Sequence, residues 1–235
     1  METVTDKKIV IETRDIAKVY QDSKIAVQAL KDVDLEISEG EFTAIVGPSG
    51  SGKTTLLNII GGLDNPTSGT IKVAGRDISE LKDSERIDFR LHNIGFVFQQ
   101  YNLIPVLTAR ENVEFIMLLQ KIPVQEMKAR SMHLLEEVGL KEKANVRPSE
   151  LSGGQQQRVA VVRALASRPK FILADEPTAN LDSASAANLL DMMARMNKEE
   201  GMTFIFSTHD QRVIDKARRV VTLEDGIIKS DEVRS

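Results

Sequence analysis

The chain has 235 residues, 41% of them hydrophobic, and a formal net charge of −4. That length suits one large α/β domain, or a domain with a subdomain, and supplies a sizeable core. The acidic balance argues against a global nucleic-acid-binding field, and the absence of cysteine excludes a disulfide framework.

No apolar run reaches the roughly 18 residues of a membrane span, and the polar start, Met1 to Lys8, has no signal-peptide core. There is no internal repeat. Residues 9–12 and 30–37 read as strands, the second alternating Leu35 and Ile37 with Asp34 and Glu36. A turn at 38–41 leads to an apolar strand from Phe42 to Val46.

The next residues are Gly47, Pro48, Ser49, Gly50, Ser51, Gly52, Lys53 and Thr54, and a helical run at 55–60 follows. A strand, a glycine-rich loop ending in Lys-Thr, and a helix are the parts of a phosphate-cradling P-loop. Glycines let the backbone bend around a polyphosphate, with N–H groups turned inward at a helix N-terminus. In that reading Lys53 reaches the β- and γ-phosphates and Thr54 ligates Mg²⁺.

Residues 70–74 read as a strand, and 95–98 as an apolar strand ending at Gln99 and Gln100. A mostly helical block follows. Thr108 and Glu111 have capping-box spacing for a helix through 120. Pro123 suits the first turn of a second helix through 138, closed by Gly139. Ser152, Gly153, Gly154 and Gln155 then open another helix, 156–167, with Ser152 and Gln155 again at capping-box spacing. Such an end suits a phosphate contact, although an ordinary capped helix shows the same pattern.

Phe171 to Asp175 is a short buried-strand pattern ending in a carboxylate, with Glu176 next. In P-loop NTPases an Asp there holds Mg²⁺, and an adjacent Glu is placed to orient or deprotonate water. A helix over 183–200, a strand over 203–207, a short helix over 211–217 and a hairpin turning at Asp225-Gly226 complete the pattern. His209 ends the last core strand. In the P-loop reading, a neutral imidazole there would hydrogen-bond the γ-phosphate and link it to Glu176. His92 and His133 read as structural or solvated.

The order P-loop, Leu151 to Gln155, Ile172 to Glu176, Asn180 to Asp182 and Ser207 to Asp210 resembles the nucleotide-binding subunits of ABC ATPases. The likeness covers residues 9–228. It implies a RecA-like P-loop core with an N-terminal antiparallel β subdomain, residues 1–99 and 149–235, and an inserted helical subdomain at about 100–148. It implies ATP and Mg²⁺ as cofactors. ATP would rest on residues 47–54, on Thr55, and on an adenine-stacking Tyr20. Gln99, with Gln100 as a rival, would sense Mg²⁺ and the attacking water. Asp182 would line a dimer seam.

The resemblance further implies that residues 152–155 of a second copy close over the γ-phosphate, in an ATP-dependent head-to-tail dimer. The loop from Gln99 to Pro105 and the helical block would seat a permease, with Tyr101, Leu103, Phe115 and Met117 as candidate contacts or core residues. Stretches 58–64, 66–69, 96–103 and 107–113 resemble one branch. It serves lipoprotein release, macrolide and peptide efflux, and cell division, through permeases with a large extracytoplasmic domain. The chain would then sit in the cytoplasm, peripheral on the inner face of the membrane. A nutrient importer and a soluble, non-transport ABC ATPase are the rival readings. The likeness is to members without the long regulatory C-terminal extension.

Overall fold

The computed structural model describes residues 8–21 and 26–234; most of the polar start read as lacking a signal peptide, up to residue 7, lies outside these. Two sheets form the frame. One is a four-stranded antiparallel sheet of β1 (Ile9–Tyr20), β2 (Val27–Ser38), β4 (Ser68–Val73) and β5 (Arg76–Asp77), in the order β2-β1-β4-β5. The other has six strands: β3 (Phe42–Val46), β6 (Ile94–Val97), β7 (Phe171–Asp175), β8 (Thr203–Ser207), β9 (Arg219–Glu224) and β10 (Ile227–Val233). Its order is β10-β9-β3-β8-β7-β6, all neighbours parallel except β10 with β9.

The first hairpin is much longer than the expected 9–12 and 30–37. Register shifts on either side of Ile16, with Asp15 at φ 51°, break the alternation by which a strand is read. Tyr20 is accordingly the last residue of β1. The strands expected at 70–74 and 95–98 are displaced by one or two residues.

The central strands read as continuous apolar runs because helices cover both faces of the parallel sheet. On one face, α1 (Lys53–Ile60) buries Leu56, Leu57 and Ile60 against Ile45, Leu173 and Ile205. The inward side chains Ile11, Ile16 and Leu35 of the antiparallel sheet close that cluster. On the other face, Phe42 meets Phe204 and Phe206 at ring-centroid distances of 5.7 and 4.7 Å. That cluster continues into α3 (Ala109–Leu119), α4 (Val124–Glu137), α5 (Gly153–Ala166) and α6 (Ser183–Glu200).

The Thr108–Glu111 capping box is complete at the head of α3. Pro123 is the N-cap of α4, one position before the expected first turn. Gly139, at φ 69°, ends α4 with its N–H on the Glu136 carbonyl at 2.9 Å. Sequence reading missed α2 (Asp83–Asn93), where only Phe89 is buried and the apolar periodicity is therefore weak. Its ends instead follow the helix dipole, with Asp83 and Glu85 first and Arg90 and His92 last. The short α7 (Gln211–Lys216) precedes β9. In an α/β sheet of this kind ligands bind beyond the carboxyl ends of the parallel strands, here Val46, Asp175 and Ser207.

Candidate functional site

The loop after β3 is built from backbone that only glycine accommodates. Gly47, Gly50 and Gly52 have φ of 151°, 81° and 102°. A Cβ on Gly47 would lie 2.0 Å from the Leu223 carbonyl oxygen, and one on Gly52 would lie 2.5 Å from that of Ala29. The loop therefore threads between β9 and β2. Gly52 caps α1 without any side-chain hydrogen bond, leaving the first-turn N–H groups for another acceptor. Lys53, 8% exposed, donates from Nζ to the carbonyls of Gly47 and Pro48, both at 2.9 Å. Ser51 Oγ is buried in the loop without a partner among the described residues. This cradle fits a polyphosphate: free N–H donors, a lysine and an orphaned hydroxyl converge on one concavity.

Thr54 sits one residue into α1, and its hydroxyl lies 3.2 and 3.1 Å from the two carboxylate oxygens of Asp175 at the end of β7. Two hard oxygen donors thus meet beside the anion cradle. Mg²⁺ suits such a set, since it keeps waters and takes its remaining ligands from phosphate. Among the described residues no larger cluster of His, Cys, Asp or Glu competes for a metal.

Glu176 follows with φ 46°, its N–H donating to the Ser207 carbonyl at 2.9 Å. One carboxylate oxygen stands 2.6 Å from His209 Nδ1, and the other accepts from Thr208 Oγ1 at 3.1 Å. The Glu176 side chain is 15% exposed and that of His209 is 75% exposed. One carboxylate is therefore held from two sides by the β8 end, with the imidazole facing solvent. When Nδ1 donates to that carboxylate, Nε2 of a neutral ring remains an acceptor.

Tyr20 donates its phenol to Asp64 at 2.8 Å, while Lys18 Nζ lies 4.8 Å above its ring and also bonds Asp64 at 2.6 Å. Burial, followed by the Asp64 contact, raises the Tyr20 phenol above its ordinary pKa. Burial alone would raise Asp64, but hydrogen bonds from Lys18, Tyr20 and the Asn65 N–H together hold it below its usual value. Across the hairpin Tyr20 pairs with Val27. Val27, Ala29, Gly52, Lys53, Thr54 and Thr55 line the cavity at the loop.

The second glycine-rich helix end stands apart. Ser152 Oγ accepts from the Gln155 N–H at 3.3 Å, and Gln155 Oε1 accepts from the Ser152 N–H at 3.0 Å. A Cβ on Gly153 would meet the Tyr101 hydroxyl at 2.7 Å, and one on Gly154 would meet Ser185 Oγ at 2.8 Å. These glycines thus have packing reasons within the chain. Among the described residues no hydrogen bond joins residues 152–155 to the P-loop.

Asp182 is the N-cap of α6, accepting from Ser185 N and Oγ at 2.9 and 2.6 Å. Those hydrogen bonds, the hydroxyl's first, lower its carboxyl. Gln99 is exposed, and its carbonyl accepts from Asn180 Nδ2 at 2.9 Å. Met117, a candidate partner contact by sequence, is 1% exposed and belongs to the core, whereas Phe115 is 38% exposed. Sequence reasoning left Arg163 without a role. It donates to the Tyr101 and Asn102 carbonyls, at 3.1 and 2.5 Å, and so ties the loop after β6 to α5. The partners are some 60 residues apart in sequence, so no local pattern reveals the pair.

Comparison with known proteins agrees with this geometry. The family model described as "ABC transporter" matches residues 30–179. The lipoprotein-releasing system ATP-binding protein LolD of Legionella pneumophila is 42% identical over 224 residues, covering 95% of this chain and 99% of that one. The macrolide export ATP-binding/permease protein MacB of Syntrophobacter fumaroxidans is 46% identical over 94% of this chain, which spans 31% of that protein. The dimeric, post-hydrolysis structure of the cassette MJ0796 of Methanocaldococcus jannaschii, bound to ADP and Pi, superposes with a TM-score of 0.89. It is 42% identical, with 96% of this chain and 99% of that chain covered. The chain belongs to the ABC transporter family and is the ATP-binding, ATP-hydrolysing subunit of such a transport system.

Proposed function

We propose that this subunit drives a membrane permease with a large extracytoplasmic domain, in export, lipoprotein release or periplasmic mechanical work. One observation carries the chemistry: the Thr54–Asp175 and His209–Glu176 pairs stand side by side at the ends of β7 and β8, beside the anion cradle. Residues 47–55 hold the triphosphate of ATP, and Tyr20 stacks on the base. Thr54, Asp175 and Gln99 hold Mg²⁺, which when bound neutralises charge developing on the phosphoryl oxygens. Lys53 shares that electrostatic role. Glu176 orients the attacking water and accepts its proton, and His209 Nδ1 keeps the carboxylate aligned.

Ser152, Gly153, Gly154 and Gln155 complete the site from a second copy of the chain. The support is their separation from the P-loop within one chain and the dimeric state of the MJ0796 cassette. Asp182 lies at the seam of that head-to-tail dimer. Residues 1–99 and 149–235 form the core, and about 100–148 a helical lever. The permease reading draws support from the relatives named for lipoprotein release and for a fused permease. It places the subunit on the inner face of the membrane, and no helix among the described residues is long and apolar enough to cross it.

The test uses Glu176→Gln. Turnover should fall by about a hundredfold or more while ATP binding persists. The ATP-bound variant should capture, from intact membranes, a permease with a large extracytoplasmic domain. Hydrolysis at the normal rate would remove Glu176 from the mechanism, and capture of a permease lacking that domain would refute the branch.

A further inference from the structure

Glu176 has a costly backbone. A non-glycine residue at φ 46° is uncommon, and such a conformation persists only where its surroundings over-determine it. A closed ring of hydrogen bonds provides that determination. Thr208 Oγ1 donates to Glu176 Oε2 at 3.1 Å and accepts the Asp210 N–H at 3.0 Å. Asp210 Oδ2 accepts from Thr178 Oγ1 at 2.6 Å. Thr178 lies two residues beyond Glu176, and the turn between them closes through the Ala179 N–H on the Glu176 carbonyl at 3.2 Å.

Every member is sheltered. Thr178 and Thr208 are 1% and 0% exposed. The Asp210 carboxylate is 15% exposed and is gripped by Arg212 through Nε at 2.9 Å and Nη2 at 2.6 Å. The Arg212 hydrogen bonds, helped by Thr178, hold the Asp210 carboxyl at about 2. It is therefore ionised at any working pH and is a fixed acceptor. Thr178 also opens the loop to Asp182, its carbonyl accepting the Leu181 N–H at 3.1 Å.

We propose that Thr178 and Asp210 are positioning residues for the hydrolytic step. Through Thr208 they fix the aim of the Glu176 carboxylate, and they tie that aim to the loop running from Ala179 to Asp182. Among the described residues no hydrogen bond joins Thr178, Thr208 or Asp210 to the P-loop, so losing the ring should act on turnover and not on ATP affinity. The proposal rests on the reading of Glu176 as the water-orienting group.

The experiment compares Thr178→Val and Thr178→Ser in the full chain, with Glu176→Gln in parallel. Valine keeps the buried shape and removes the hydroxyl that Asp210 accepts. We expect kcat to fall about tenfold or more, with the Kd for Mg-ATP unchanged within about twofold and serine restoring turnover. An unchanged kcat for Thr178→Val, an equal loss of ATP affinity, or a serine variant as slow as valine would overturn the proposal. If Thr178→Val does not fold, Asp210→Asn is read by the same kcat and Kd criteria. A fast Glu176→Gln enzyme would sink the underlying site reading instead. A dead Glu176→Gln beside an unimpaired Thr178→Val would sink the ring alone.

Discussion

Two helices of this chain begin on glycine-rich turns and treat their first N–H groups differently. At α1 the cap is Gly52 in a left-handed conformation, with no side chain bonded to the first turn. At α5 the cap is Ser152, and a complete capping box with Gln155 satisfies the N–H groups of those two residues. The first end is open: among the described residues its first-turn donors have no protein acceptor, so an anion meets little internal competition. The second is half-closed: bonds at 3.0 and 3.3 Å take up the Ser152 and Gln155 N–H groups, and among the described residues those of Gly153 and Gly154 have no protein acceptor. This difference matches a division of labour in which one end binds ATP in a single chain and the other acts only when a second chain brings it up.

The comparison breaks first at the open end. Lys53→Ala should weaken ATP binding by about a hundredfold, roughly 3 kcal/mol for a charge-assisted contact at a buried site. Titration with a fluorescent ATP analogue measures it, and a loss below about threefold would mean that the loop binds without its lysine. Ser152→Ala should do the reverse. It should cost about 1 kcal/mol of helix stability, seen as a lower thermal midpoint, and cut turnover while single-chain ATP affinity stays unchanged. Loss of affinity in that variant would place the capped end in the single-chain site. Tyr20→Phe is the gentlest change. It keeps the ring, releases the bond to Asp64, and should raise the Kd for ATP about threefold or less, near the worth of one hydrogen bond.

What the sequence discloses follows the range of the interactions. The P-loop is legible because its glycines, lysine and threonine are contiguous and chemically pointless in a plain turn. The boundaries of β3, β7, α6 and β8 are legible for the same local reason, as are the Thr108 and Ser152 capping boxes. The full length of β1 is hidden by its bulge near Asp15, and α2 by its single buried residue. The ring through Thr178, Thr208 and Asp210 and the Arg163 tie join segments 32 and 61–62 residues apart. No periodicity encodes them. The glycines at 153 and 154 look like phosphate contacts in sequence. The structure adds Tyr101 and Ser185, whose side chains would have to shift to admit a Cβ at 153 or 154.

The division between an open end and a capped end is tested most directly by mixing two impaired chains, one Lys53→Ala and the other Ser152→Ala. In a head-to-tail dimer, a mixed pair contains one site with both defects and one with neither. Half the dimers are mixed, so activity should return to about a quarter of the unmodified level if the two sites of a dimer work independently. If Ser152 serves the P-loop of its own chain, no pairing restores a complete site. Activity would then stay at the average of the two impaired chains, contradicting the account.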